Sequence, residues 1–480
     1  MHYHLIGICG TAMASLAGML QARGHRVTGS DENVYPPMSH LLAGLGIEIM
    51  PGYNAAHLTP PPDCVVVGNA IPRGNPEVEE MLNRRLVYHS LPEIVKEEFI
   101  RGRRSLVVAG THGKTSTASL AAWVTDQGGL NPGFLIGGVA RNFDASFRAA
   151  ESDYFIIEGD EYDTAYFDKG PKFMHYLPEM AIVTNIEYDH ADIYPSLEAV
   201  KLAFRRFMNT VPGDGRLVAG WDSPHVRALV AELGDKLFTR LETFGSGTGV
   251  SPVDHGQDAH ATWQARDIVY SGEMMGFSVF REGRKWGEFK TPLIGEFNVR
   301  NCLAVIVAAD AWGIGREAIG GALQTFKGVS RRCEARGEVN GVTVIDDFAH
   351  HPTAVRETLT ALRAKFPEHR LVAVFEPRSW SSRLAVFQQE YVDAFAPADY
   401  VVVAGVFDTK KTLEKGRALD TAKLIKEIAA QGKPAFAIGE VDRIVGHLTP
   451  ELRAGDIVAI MSNGGFGGIH GKLLKALAQT

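Results

Sequence analysis

Seven consecutive residues, Gly110-Thr111-His112-Gly113-Lys114-Thr115-Ser116, have the types and order that cradle nucleotide phosphates. They follow the apolar run Ser105–Ala109 and precede a helical pattern that starts near Thr117, so a strand, a loop and a helix are expected in that order. In such a turn the loop N–H groups and the helix N-terminus hold phosphate oxygens. Lys114 adds a positive charge, and the Thr115 hydroxyl can reach Mg²⁺. ATP or a relative is the expected ligand. The general pattern G-x-x-x-x-G-K-[ST] would place glycine at position 108, where this chain has Val108, so the loop is a shortened variant.

Other groups suited to the same chemistry follow. Glu158-Gly159-Asp160-Glu161-Tyr162-Asp163 closes the apolar strand Tyr154–Glu158, and ligand sites form at the carboxyl ends of parallel strands. A carboxylate there can hold Mg²⁺ directly or through water. Asn185-Ile-Glu-Tyr-Asp-His190 ends the next expected strand, Met180–Asn185, so His190 and Glu158 are expected to converge beside the phosphate loop. Gly295-Glu-Phe-Asn298-Val-Arg-Asn301 opens a helix with two asparagines one turn apart on one face, whose amides can read an adenine or cap the helix. Arg331-Arg332-Cys333-Glu334 and Asp346-Asp347-Phe348-Ala349-His350-His351-Pro352 bring cations, acids and histidines toward an expected interdomain cleft. Near the start, Gly7-Ile-Cys-Gly10-Thr11 leads into a helix, with Asp31 after the second strand. Those glycines can admit a diphosphate and the acid a sugar hydroxyl, but G-x-G-x-x-G spacing is absent, so NAD is not singled out.

Positioning these groups takes a large scaffold. The 480 residues suggest about three domains, and 45% hydrophobic with 22% charged residues is the composition of a globular chain. A formal charge of −7 with no concentrated basic face argues against nucleic acid as the main partner. Cys9, Cys64, Cys302 and Cys333 lack C-x-x-C spacing, which argues against a zinc or disulfide framework. The opening Met1-His-Tyr-His lacks the pattern of a secretory signal, no membrane-spanning run is seen, and a cytoplasmic location is expected.

Strands and helices alternate through residues 1–104, giving a parallel α/β unit, and the charged stretch Lys96–Arg104 reads as a solvated helix end that also marks a linker before the phosphate loop. A central unit, 105–328, carries the phosphate loop and, between about 217 and 295, shorter strands expected to form a peripheral β layer. A third unit, 329–480, alternates again: strands Val342–Ile345, Leu371–Phe375, Tyr400–Ala404 and Ile457–Met461, with helices around Thr353–Lys365, Leu384–Phe395 and Thr421–Ala430. It is expected to be doubly wound.

G-T-H-G-K-T, E-G-D-E-Y-D, N-I-E-Y-D-H, F-N-V-R-N, R-R-C-E and D-D-F-A-H-H-P stand in the order found in the Mur ligases, and the resemblance runs the length of the chain. It implies a three-domain α/β architecture, with an N-terminal Rossmann-like UDP-binding domain, a central P-loop ATPase domain and a C-terminal Rossmann-like domain. The activity it implies is ATP- and Mg²⁺-dependent amide formation on UDP-N-acetylmuramate. By resemblance, Gly110, Thr111, His112, Gly113, Lys114, Thr115 and Ser116 would bind ATP phosphates, and Thr115, Glu158 and His190 would hold Mg²⁺. Asn298 and Asn301 would lie by the adenine, and Arg332 and Asp347 would reach the nucleotide from the third domain. Gly7, Gly10, Thr11, Asp31 and Asn69 would belong to the UDP-sugar site.

Two positions depart from the family. Phe297 stands where histidine is frequent, and Arg205 where several members carry a carbamoylated lysine, so no carbamate ligand is expected there.

Within the family, Asn33–Met38, Gly68–Pro76 and Met461–His470 favour a branch whose amine substrate is the tripeptide L-Ala-γ-D-Glu-meso-diaminopimelate, used in peptidoglycan recycling. The rival branch adds free L-alanine and shows F-Q-P-H-R-Y-T-R where this chain has Phe375-Glu-Pro-Arg378-Ser-Trp-Ser-Ser-Arg383. A free alanine carboxylate needs charge-assisted partners, whereas in the tripeptide that carboxyl is an amide. Arg378 and Arg383 are taken as contacts for a peptide carboxylate. Lys114, Glu158 and His190 would serve the chemistry, and His350 or His351 would orient or deprotonate the amine.

Overall fold

Apolar runs such as Cys64–Val67, Arg104–Ala109 and Ile457–Met461 become strands, and these gather into three large sheets, beside a two-stranded ribbon of Asp163–Ala165 and Asp168–Pro171. The computed structural model describes residues 1–34, 38–246, 261–406 and 417–480. Of the segment Asn33–Met38, residues 35–37 lie outside this description.

The first sheet has five strands in the order Glu48–Pro51, Arg26–Asp31, His2–Ile6, Cys64–Val67, Tyr88–Ser90, all parallel. The stretch Lys96–Arg104 does begin as a helix end, but it is solvated on one side only. Residues Lys96–Ile100 form a π-helical turn that buries Phe99 and Ile100, and Phe99 stacks on Phe155 of the central unit with ring centroids 6.3 Å apart. The charges occupy the outer side of that turn while its apolar side plugs the seam between the units.

The central sheet has ten strands. Its middle strands are parallel, and their register aligns Ala109 with both Gly159 and Val183. Three loops therefore leave the sheet at one edge: the phosphate loop, the Glu158–Asp163 run and the segment through His190. This alignment positions the site. Helices Lys114–Gln127 and Glu296–Ala311 cover one face, against Val108, Ile156 and Ile182. The strands between 216 and 291 do not form a separate layer, contrary to expectation. Arg216–Gly220, Arg240–Gly245 and Trp263–Ser271 pair in parallel onto the sheet, and Met274–Arg281 and Arg284–Thr291 continue it as an antiparallel meander. Their inward apolar residues, Phe277, Val279 and Phe289, complete the same core.

The third sheet has six strands in the order Glu334–Val339, Val342–Asp347, Ile457–Met461, Leu371–Phe375, Tyr400–Ala404, Ala435–Ile438, parallel except for the first pair. Helices on both faces make it doubly wound. The helix expected over Leu384–Phe395 starts only at Gln388, because Leu384 is extended and bridges to Ala418. Among the described residues no helix is long and apolar enough to cross a membrane.

Candidate functional site

The phosphate loop opens with Gly110 at φ +135°, where an added Cβ would collide with Thr184 Oγ1. Val108 remains inside the strand, fully buried, so the turn begins two residues later than the general motif would have it. Gly113 sits at φ +85° as the residue before helix Lys114–Gln127, and a Cβ there would lie 2.8 Å from Asn301 Oδ1. No side chain caps this helix, which leaves its N-terminal N–H groups for an anion. The loop is held from below by the segment after the neighbouring strand. Asn185 Oδ1 accepts from His112 N at 2.8 Å, Thr184 Oγ1 donates to His112 O at 2.6 Å, and Thr111 N donates to Asn185 O at 3.0 Å.

Beside it lies a cleft of about 1040 Å³ where the units meet. Thr11 reaches it from the first unit. Thr111 through Ser116, Glu158, His190, Asn298 and Asn301 line it from the central unit, and Arg332, Asp347 and His350 from the third. Phe297 also lines it and packs on the third unit's core, an apolar wall in place of a polar neighbour.

A dense charge cluster sits at its centre. Lys114 Nζ donates to Gly110 O at 2.6 Å and to Glu161 Oε1 at 3.0 Å, and lies 2.7 Å from Glu161 Oε2. Burial works against the charged amine, but Glu161, Asp160 and Glu158 outweigh it and raise its pKa. Thr115 Oγ1 donates to Glu158 Oε1 at 2.9 Å and Gly137 N to Glu158 Oε2 at 2.7 Å. Burial pushes the Glu158 carboxyl up despite these partners. Asp160 is held down to about 2, its burial overcome by Lys172 and Lys114. His190 has φ +52° and sets Nε2 3.4 Å from Glu161 Oε1. Burial lowers its pKa, but the hydrogen bond and charge of Glu161, with Asp189, lift it to about 9.

To a hard divalent cation Thr115 offers a hydroxyl, Glu158 a buried carboxylate and His190 an imidazole, and all three line the cleft. Glu161 is 2% exposed and touches both Lys114 and His190, yet nothing in its sequence context sets it apart from its acidic neighbours. Arg205 lies elsewhere, in a surface ion pair with Glu232.

Several expected ligand groups are engaged within the protein. Asn298 Nδ2 donates to Ile294 O at 2.8 Å, and Asn301 Nδ2 to Asn298 Oδ1 at 3.1 Å, so the asparagines brace the helix start and the phosphate loop while still lining the cleft. Asp347 accepts from Cys333 N at 2.7 Å and Ala349 N at 2.8 Å, which shapes its own turn. Arg332 lies over the Phe348 ring at 4.8 Å, with Nη2 3.5 Å from Thr115 Oγ1.

The two adjacent histidines separate. His350 Nδ1 donates to Phe348 O at 3.0 Å, which leaves Nε2 as the acceptor of the uncharged ring, and burial keeps its pKa below the ordinary value. His351 does not line the cleft. It caps helix Pro352–Lys365, its Nδ1 accepting from Thr353 N at 3.3 Å and its Nε2 donating to Tyr188 O at 3.2 Å. Both ring nitrogens are occupied, so the expectation that it could serve the amine is corrected.

The first-unit residues lie apart from the main cleft, Thr11 excepted. Gly7, at φ +83°, closes its turn on Ser30 O, and Asp31 accepts from Cys9 N at 2.9 Å and Asn33 N at 2.8 Å. Gly10 precedes helix Thr11–Ala22 without a side-chain cap, which leaves first-turn N–H groups suited to an anion. Asn69 Nδ2 donates to Asp163 Oδ1 at 2.9 Å and ties this unit to the end of the acidic run. Arg378 and Arg383 are also outside the cleft lining; Arg378 lies 3.7 Å from Glu376, and Arg383 covers Trp380 at 4.8 Å.

Three family patterns match the chain: "Mur ligase family, catalytic domain" over residues 2–102, "Mur ligase middle domain" over 108–309 and "Mur ligase, glutamate ligase domain" over 331–464. A protein of Escherichia coli strain K12 named UDP-N-acetylmuramate–L-alanyl-γ-D-glutamyl-meso-2,6-diaminoheptandioate ligase is 42% identical over 480 residues, covering 100% of this chain and 99% of that one. A UDP-N-acetylmuramate–L-alanine ligase of Roseiflexus castenholzii is 34% identical, covering 100% and 98%. The crystal structure of a murein peptide ligase from Psychrobacter arcticus 273-4 is 36% identical with a TM-score of 0.70, covering 100% and 99%.

Proposed function

This chain belongs to the Mur ligase family, and from that premise we propose that it joins UDP-N-acetylmuramate to L-alanyl-γ-D-glutamyl-meso-diaminopimelate, using ATP, in cytoplasmic peptidoglycan recycling. The observation that carries this reading is the 42% identity, end to end, with the ligase of that name, against 34% for the alanine-adding relative. Phe375-Glu-Pro-Arg378-Ser-Trp-Ser-Ser-Arg383 supports it, because serines stand at two of the three cationic positions of F-Q-P-H-R-Y-T-R that suit a free amino-acid carboxylate.

The lactyl carboxylate of the sugar attacks the γ-phosphorus of ATP, the bond to the β-phosphate oxygen breaks, and ADP leaves. The L-alanyl amine then attacks the acyl phosphate carbonyl, loses a proton and expels phosphate. Transfer of this kind depends on positioning and on neutralising charge. Lys114, which pairs with Glu161 at 2.7 Å here, would turn to the γ-phosphate, and the helix N-terminus would hold the remaining oxygens. Mg²⁺ held by Thr115, Glu158 and His190 would neutralise phosphate charge. His350, whose Nδ1 faces Phe348 O and whose Nε2 is left to accept, is the candidate acceptor for the amine proton. Residues of all three units line the cleft, so closure would shield the acyl phosphate from water.

Labelling the lactyl carboxylate with ¹⁸O tests this sequence. One labelled oxygen is expected in the released phosphate for each amide formed; unlabelled phosphate would rule out the acyl phosphate.

A further inference from the structure

Among the described residues, His112, Glu187 and His351 are the one group of three histidine, cysteine or acidic side chains whose ligand atoms all lie within 4.8 Å of one another. They belong to different units. His112 comes from the phosphate loop, Glu187 from the segment after strand Met180–Val183, and His351 from the start of helix Pro352–Lys365 in the third unit. We propose that they form a site for a borderline transition-metal ion such as Zn²⁺, which fastens the central unit to the third.

The spacing supports a metal. Glu187 Oε2 lies 3.3 Å from His112 Nε2 and 3.6 Å from His351 Nδ1. Zinc bonds of 2.0–2.2 Å in a tetrahedron place neighbouring ligand atoms about 3.4 Å apart. The two ring nitrogens lie within 4.8 Å of one another, with the ring centroids 4.7 Å apart.

The surroundings fit as well. His351 donates its Nε2–H to the Tyr188 carbonyl at 3.2 Å, which fixes the tautomer and leaves the Nδ1 lone pair facing Glu187. A backbone carbonyl on the far nitrogen is the usual outer partner of a metal-bound imidazole. The Thr353 hydroxyl donates to Glu187 Oε2 at 2.7 Å and orients the carboxylate in the same way. Metal binding would replace the 3.3 Å hydrogen bond from Thr353 N to Nδ1 and the 3.3 Å hydrogen bond between His112 Nε2 and Glu187 Oε2, with His112 Nε2 giving up its proton. The side chains of His112 and Glu187 keep 14% and 33% of their exposure, so an ion has a route in and room for a fourth ligand.

Two imidazoles and one carboxylate favour Zn²⁺ or Co²⁺ over Mg²⁺, which prefers oxygen donors. The site is thus chemically distinct from the group around Thr115 and Glu158. Because both units contribute ligands, an ion bound here stabilises their closed arrangement.

The test is titration of the full-length protein with Co²⁺ in excess Mg²⁺. One tight equivalent with the intense visible bands of four-coordinate Co²⁺ is expected, displaced by Zn²⁺ and not by Mg²⁺. H351N, whose amide can still cap the helix, and E187Q should each weaken binding by at least about ten-fold and abolish Zn²⁺-dependent thermal stabilisation. Melting curves establish that each variant is folded, and because the two changes lie in different units, either one suffices. Bands unchanged in a folded variant, Co²⁺ displaced by Mg²⁺, or no tight equivalent would each overturn the proposal.

Discussion

Replacing Lys114 with alanine is expected to lower kcat/KM by roughly 10³-fold or more while the chain stays folded. Lys114 is the cation at the mouth of the phosphate loop, and its side chain is only 11% exposed. Where water is excluded, a fixed positive charge acts strongly on the charge that develops on the transferring phosphoryl group. The fold should survive because the amine's partners in this structure, Gly110 O, Thr111 O and Glu161, belong to a preformed loop that Thr184 and Asn185 also hold. Glu161 retains the His190 ring at 3.4 Å as a second partner. Steady-state kinetics and a melting curve of the same preparation check this. A folded variant within ten-fold of the parent would remove Lys114 from the chemistry.

Glu158→Gln should cost on the order of 10²-fold in turnover and shift the Mg²⁺ concentration needed for half-maximal rate upward by about ten-fold or more. The carboxylate accepts from Thr115 Oγ1 and Gly137 N with its two oxygens. An amide matches only one of these bonds with its oxygen, and its NH₂ faces another donor unless the Thr115 hydroxyl turns to accept. The lost charge matters more, since the proposed Mg²⁺ site would then lack its buried carboxylate. Titrating Mg²⁺ at saturating ATP separates the two effects: a lower maximal rate with an unchanged Mg²⁺ requirement would show that Glu158 positions the loop without holding metal.

The phosphate loop was readable in the sequence because its chemistry is local. Seven adjacent residues carry the glycines, the cation and the hydroxyl, and the apolar strand before them fixes where the loop emerges. Glu158 and His190 could be placed near it for a related reason: parallel strands in register deliver their following loops to one edge. Glu161 was hidden because its contact with Lys114 and His190 depends on how the chain turns after Glu158, and in sequence it is one acid among four. His350 and His351 look equivalent as a pair. The extended backbone sends one into the cleft and the other under the start of a helix, where Thr353 N and Tyr188 O take both ring nitrogens.

Long-range partners were equally out of reach. Asn69 meets Asp163 across 94 residues, and Asp31 spends its oxygens on nearby N–H groups that no spacing rule reveals. At the fold level, the short strands after residue 216 suggested a layer of their own. Edge pairing with strand Met180–Val183 decided otherwise, through hydrogen bonds that periodicity does not encode.

The central claim is that the chain forms an amide between UDP-N-acetylmuramate and a preformed tripeptide. Phosphate release from ATP and Mg²⁺ with UDP-N-acetylmuramate, offered either L-alanyl-γ-D-glutamyl-meso-diaminopimelate or free L-alanine, tests it most directly when products are confirmed by mass. Turnover with the tripeptide alone, giving the UDP-linked muramoyl tripeptide, is the predicted result. Turnover with free L-alanine would contradict it and would show that the Phe375–Arg383 segment accommodates a free amino-acid carboxylate.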